Sequence, residues 1–301
     1  MSAPDAFALS AEQRAVPPDA GMLQLTVDIA GQPDMARLRA AVDMLAVRHT
    51  QLRARFGAVD GYRGLRQWIA PLEEVGETLS IHETPAGCQL VLRLPALVAD
   101  RRSLEILYRD LVRLYGGAVL EEPLQYAEFV EWRRDIEQNE EAQAGRAYWA
   151  GVGRQPAVRL AYRDGAAAGT GRAAQSRELS APVAASVGRL AEAFGVPLVA
   201  LLQAAWWALL ARIQGHGTFS AGWQHDCRRD YAVMDDAVGV FEKILPLDIG
   251  LSLDEPFGDW LSRCAAMLEQ HVEAQEFAPV AAPHGDAHFS TGFAVGELPA
   301  G

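Results

Sequence analysis

Several polar clusters carry the residue types of a reactive centre. His225-Asp226-Cys227 sets an imidazole, a carboxylate and a thiol side by side, the groups of a nucleophilic triad. Neighbouring residues on a strand or tight turn point apart, and triads assemble from distant segments, so adjacency argues against joint action. His284-Gly285-Asp286-Ala287-His288 offers two imidazoles and a carboxylate. No further ligand stands nearby, so no metal site is expected there. His49 closes a helical pattern just before Leu52 and Phe56, and reads as scaffold rather than as a catalyst. Asp100 lies in Leu94-Pro95-Ala96-Leu97-Val98-Ala99-Asp100-Arg101-Arg102-Ser103-Leu104 and reads as a turn carboxylate that pairs with an arginine. Gly165 to Gly171 has neither the lysine nor the helix cap of a phosphate loop.

The elements that must position these groups follow from periodicity. Residues 22–30 alternate as a half-buried strand, Gly31-Gln32-Pro33-Asp34 is a turn, and Asp34 can cap a helix running to Arg48-His49. Arg66-Gln67-Trp68-Ile69 and residues 88–94 read as strands, the second ended by Pro95. A helix begins near Ser103 with Leu104, Leu107, Leu111 and Leu114 on one face. Another begins near Gln125 and runs through the acidic stretch Glu137 to Glu141, a solvated face, to Tyr148-Trp149. Asp164 to Gly171 is small and aperiodic, as a linker is, which divides the chain into lobes at 1–164 and 165–301. Beyond it, Ala181 to Phe194 is a helix closed by Gly195, and Val196 to Ile213 is a core helix packing Trp206-Trp207. Phe219–Trp223, Ile244–Leu251 and Phe289–Val295 are strands, and Pro256 to Gln275 is helical.

At 301 residues the chain exceeds one ordinary core, which agrees with two lobes in an α/β fold. The net charge of −12 argues against nucleic acid and against an anionic membrane as partners. Cys88, Cys227 and Cys264 are odd in number and lack CxxC spacing, so buried thiols in a reducing, cytoplasmic compartment are expected. Met1-Ser2-Ala3-Pro4-Asp5 opens no secretion signal. The apolar run from Leu198 is too short to span a bilayer comfortably.

A set of motifs in order then points to a family. Leu9-Ser10-Ala11-Glu12-Gln13-Arg14 is similar to the opening motif of the condensation domains of nonribosomal peptide synthetases. Arg48 to Phe56 matches their "RHxxLRxxF". Tyr126 to Trp132 resembles "YxDFxxW" and is followed by Tyr148-Trp149. Val238 to Leu247 resembles "IGxFVNTLPLR", and Ala274 to Pro279 is a blurred "HQDxPFE". The resemblance implies an α+β sandwich in which two chloramphenicol acetyltransferase-like lobes meet in a V around a tunnel. Two carrier-bound thioesters would enter from opposite ends on phosphopantetheine arms, with no other cofactor. It also implies that the second lobe is about two-thirds complete at Gly301.

Active members carry "HHxxxDG", whose second histidine positions the attacking amine or accepts its proton, work suited to a group titrating near neutral pH. Aligned on Asp100, Pro95 and Ala96 fall at the two histidines and Arg101 at the glycine. Neither Pro95 nor Ala96 can transfer a proton. The resemblance places the arginine partner of Asp100 at the position of Asp248, which would repel it. Arg53, Arg101 or Arg102 are the local substitutes, with Arg48 and His49 as further members of the structural motif. The expected function is therefore a platform without bond-forming activity, recruiting carrier (thiolation) domains or an oxygenase or other tailoring enzyme in trans. The alternative is amide or ester formation by proximity alone.

Overall fold

The computed structural model describes residues 6–17, 20–73, 78–158, 175–279, 289 and 291–296. The expected linker at Asp164 to Gly171 and the His284–His288 cluster lie outside these residues. In the N-terminal half, β1 (Phe7–Ala8), β4 (Leu65–Ile69) and β3 (Ala54–Ala58) form one antiparallel sheet. A second antiparallel sheet has the order β2 (Met22–Ala30), β6 (Gly87–Pro95), β5 (Leu79–Thr84). The β2–β6 register runs from Met22 opposite Pro95 to Ala30 opposite Gly87, so Pro95 ends the ladder, as its missing N–H requires.

Two helices, α2 (Met35–Arg48) and α3 (Arg101–Tyr115), cover the second sheet. Their Leu45, Leu104, Ile106, Leu107 and Leu111 pack against Leu90, Leu92 and Leu94. Asp34 caps α2 and Asp100 caps α3, each accepting the N–H three residues on.

The helical pattern from Gln125 to Trp149 is two helices rather than one, α4 (Tyr126–Ile136) and α5 (Glu141–Trp149). Residues 137–140 between them form a turn, in which Asn139 is a weak helix former. The second half holds α6 (Ala181–Phe194), α7 (Leu198–Gln214) and α8 (Phe257–Glu273) beside a sheet ordered β8 (Glu242–Gly250), β7 (Thr218–Asp226), β9 (Gly292–Ala294). Gly195 ends α6 with φ of +64°, the left-handed cap that lets the chain reverse into α7. Trp149 and Val158 belong to this second core, with Trp207, Phe219, Leu245 and Leu261, so packing crosses between the halves before residue 159.

No single described helix is long and apolar enough to cross a membrane. Only α6 and α7 taken together reach the length and composition, and they meet at 100°. Short strands β1 and β5 give no periodic signal long enough to read from sequence.

Candidate functional site at the junction of the two halves

The Asp100 turn is the structural centre of the molecule. Ala96 N–H donates to Gly21 and Val98 N–H to Pro95, which closes the turn after β6. Gln13 donates to Leu97 O at 2.9 Å and exchanges amide hydrogen bonds with Gln67 at 2.9 and 3.0 Å, so α1 (Ala11–Ala15) pins the turn from one side. From the other half, Asp100 N–H donates to Gly239 O at 3.1 Å.

Asp100 itself is buried and accepts from five N–H groups. Ser103 N and Arg228 Nη2 reach Oδ1 at 2.9 Å each. Arg228 Nη1 reaches Oδ2 at 2.9 Å, Phe241 N at 2.8 Å and Glu242 N at 3.1 Å. Burial alone would raise its pKa, but the Arg228 charge and these donors overcome that and hold the carboxyl below its ordinary value. Arg228 sits in a short 3-10 turn after β7. It stacks 4.2 Å from the Phe241 ring centroid and also donates to Asp226 and to Ala237 O. The same two carboxylates raise its own pKa against the opposing effect of burial.

Arg228 thus replaces every expected partner of Asp100. Arg53 donates instead to Ala46 O and Ala70 O, and Arg101 and Arg102 pair with Glu105. Asp248 does not oppose Asp100. It lies six residues along β8 from Glu242, about 20 Å at strand spacing, and accepts from Ser220 Oγ and the N–H groups of Gly153, Arg154 and Gln155. The expected repulsion is corrected by this distance.

The Arg48–Phe56 segment is scaffold. Arg48 and His49 both donate to Asp110 at 2.9 Å, and Asp110 also binds Arg109. His49 is buried, and burial lowers its pKa despite the Asp110 carboxylate, so the ring is neutral and committed. The aromatic segment from Tyr126 closes the junction. Tyr126 donates to Val240 O at 2.9 Å while accepting from Ser10 Oγ, and Phe129 packs on Phe241 with centroids 4.6 Å apart. Gly239 meets the Tyr126 ring so closely that a β-carbon there would collide with it.

His225 pairs with Asp230 at 2.8 Å, not with Cys227, whose thiol is pushed up to about 12 by burial. That removes the nucleophile from the triad-like run. Among the described residues no group of three His, Cys, Asp or Glu is placed to hold a metal ion.

Two residues of the junction stand out only in the structure. Arg228 was one of two adjacent arginines with nothing local to mark it. Glu242 stands opposite Asp226 in the β7–β8 register and accepts from Gln224. Burial, then the Asp100 and Asp226 charges, push its carboxyl up to about 7, against the pull of Arg101 and Gln224. The visible signal was the departure Glu242-Lys243 where the family pattern has Val-Asn. A cavity of about 450 Å³ opens beside the Asp100–Arg228 pair, which acts as a latch between the halves, and is lined by Arg102, Arg109, Arg228, Arg229, Asp226 and Asp236 among others, with no imidazole or thiol among its lining residues.

The family model for the Condensation domain matches residues 78–278, two thirds of the chain. The chain belongs to the condensation-domain family of nonribosomal peptide synthetases. Bacitracin synthase 3 of Bacillus licheniformis is 26% identical over 297 residues, an alignment that takes in 85% of this chain and 4% of that protein. Among solved structures, the first condensation domain of the calcium-dependent antibiotic synthetase, in complex with a substrate analogue, superposes with a TM-score of 0.74 at 19% identity. It covers 98% of this chain and 82% of that one. The X-domain from teicoplanin biosynthesis, solved in complex with OxyB, gives 0.72 at 21% identity, covering 94% and 74%. The mixed helix and sheet architecture of this condensation domain agrees with the chloramphenicol acetyltransferase-like fold expected from its motifs.

Proposed function

We propose that this condensation domain acts in a peptide assembly line as a docking platform that does not itself form the bond. The observation that carries the reading is the state of the Asp100 turn. Its structural carboxylate has five N–H donors, two of them from Arg228, while Pro95 and Ala96 put no proton-transferring group where the family carries histidines. Carrier domains would bring acyl groups on phosphopantetheine arms, and a tailoring enzyme in trans would dock on the same domain. The likeness to an X-domain solved with OxyB supports the second partner. Three buried, unpaired thiols suit work in the cytoplasm.

The test is calorimetric titration of the whole domain with the carrier domains and oxygenases encoded beside it. Saturable binding to at least one, with no amide product by mass spectrometry from loaded donor and acceptor carriers, is the expected result. Absence of any binding partner for the folded domain overturns the platform.

A second reading, bond formation helped by proximity, is favoured by Glu242. A carboxyl pushed up to about 7 beside the turn is suited to accept an amine proton near neutral pH. It requires product above background in the same assay, lost in Glu242→Gln.

A further inference from the structure

A second polar contact joins the two halves, and it differs from the Asp100–Arg228 pair. Glu12 on α1 has a fully buried side chain, and neither of its carboxylate oxygens accepts a hydrogen bond from a described residue. Its ion-pair partners stand off. Arg133 Nη2 on α4 is 3.4 Å away and Lys243 Nζ on β8 is 3.9 Å away, beyond the roughly 2.7–3.2 Å of a good N–H···O bond. Asp100, by contrast, meets both Nη atoms of its arginine at 2.9 Å. Helices α1 and α4 belong to the first half and β8 to the second, so this contact spans the same junction.

The groups around Glu12 share its condition. Arg133 Nε and Gln275 Oε1 are buried and make no hydrogen bond with a described residue. Lys243 Nζ donates to Gln275 O at 2.8 Å, which leaves the amine with further protons to place. The far side of the cluster is complete: Arg133 donates to Glu276 O, and the Glu276 carboxylate accepts from Tyr231 and from Gln275 Nε2. The unmet donors and acceptors therefore gather between α1, α4, β8 and the short turn Gln275–Phe277.

A carboxylate removed from water stays charged only where other donors replace the water it loses. Arg133 repels a metal cation from this place, and Glu12 repels an anion. The geometry calls for a small neutral group that donates to Glu12 and to Gln275 Oε1 while accepting from Arg133 or Lys243, and water does all of these. A buried water takes about 2–4 polar partners, and polar contacts longer than about 3.5 Å are where one bridges. A cavity of about 390 Å³, lined by Ala11, Arg133, Glu276 and Phe277 among others, borders the cluster on its solvent side. We propose that an ordered internal water sits among Glu12, Arg133, Lys243 and Gln275 and carries the contact between the halves there. One joint of the molecule is then direct and dry, and the other is hydrated. This goes beyond the platform reading and does not depend on it. All the side chains it uses are already enclosed by residues of this chain.

A crystal structure of the whole wild-type chain, at a resolution that shows ordered solvent, tests the proposal. The expected result is a water peak within hydrogen-bond distance, roughly 2.7–3.2 Å, of both a Glu12 oxygen and Lys243 Nζ. Magnetic relaxation dispersion of the solvent gives a second readout in solution. Glu12→Leu with Lys243→Met replaces the polar contact by apolar side chains of similar length and leaves neither charge unpaired. That double variant is expected to keep the circular dichroism of the wild type and to hold one long-lived water fewer. A direct Glu12–Lys243 hydrogen bond with no water between them overturns the proposal. So does a metal or halide ion at the peak, or a folded double variant that keeps the wild-type number of long-lived waters.

Discussion

Removing the Arg228 side chain tests whether the Asp100 centre is structural. Arg228→Ala takes away both guanidinium bonds to Asp100 and the bonds to Asp226 and Ala237 O, and it leaves Asp100 with the Ser103, Phe241 and Glu242 N–H donors and the Ser103 hydroxyl. Breaking a buried pair by deleting one partner costs ~3–5 kcal/mol, because the other charge stays buried and uncompensated. The pair also fastens the end of β6 to the turn after β7, so the loss falls on contact between the two halves. Arg228→Ala should therefore lower the urea midpoint by that free energy divided by the slope, with the slope itself unchanged or smaller. Once the guanidinium is gone, burial is the leading influence on Asp100 and raises its pKa. The variant's folded state then holds a proton the unfolded chain has released, so its deficit should shrink as pH falls towards 4. Asp100→Asn with Arg228→Met should cost less than the sum of the single changes, since no unpaired charge remains. A cost under 1 kcal/mol for Arg228→Ala, or strict additivity in the double variant, would refute the latch.

Three further outcomes follow from the same junction. Glu242 has a folded pKa of about 7, above its ordinary value, so the folded state binds the extra proton and wild-type stability should fall as pH rises from about 4.5 to 7; Glu242→Gln should remove that slope and gain ~1–2 kcal/mol at pH 8, discounted for partial solvent exposure, by urea titration across pH. Gly239→Ala drives a methyl into the Tyr126 ring and should cost ~1–3 kcal/mol in the same assay, as overpacking of a dense core does. Ala96→His restores one imidazole without the rest of the motif, and mass spectrometry of loaded carriers should show no amide above the Ala96 background.

Long, strongly patterned elements were legible. The strand at residues 22–30 and the helix from Met35 to Arg48 stand where alternation and apolar spacing put them, and Gly195 ends its helix by left-handed geometry that no other residue takes as cheaply. The break between α4 and α5 was not legible. Both helices keep apolar residues in phase, and the interruption comes from docking, with Asn139 the one weak helix former in the turn. Arg133 reaches Glu276 O, while Trp149 donates to Ala274 O at 2.6 Å. Such contacts join residues more than 120 positions apart and leave no local trace. Trp206 and Trp207 read alike in sequence, yet only Trp207 is fully buried, because successive residues of one helix point about 100° apart.

The site divides along the same line. That Asp100 is a turn carboxylate pairing with an arginine was legible, and the absence of an imidazole at Pro95 and Ala96 is a plain reading of residue types, whereas its role as the cap of α3 is visible only in the structure. Which arginine serves is a tertiary fact. Arg101 and Arg102 follow Asp100 directly, but on α3 both pair with Glu105 one turn further on, at i,i+4 and i,i+3. The inward side of the Asp100 carboxylate is left to whatever the other half delivers, and the turn after β7 delivers Arg228. A carboxylate so fully enclosed is a poor candidate for chemistry and a good one for fixing two bodies against each other.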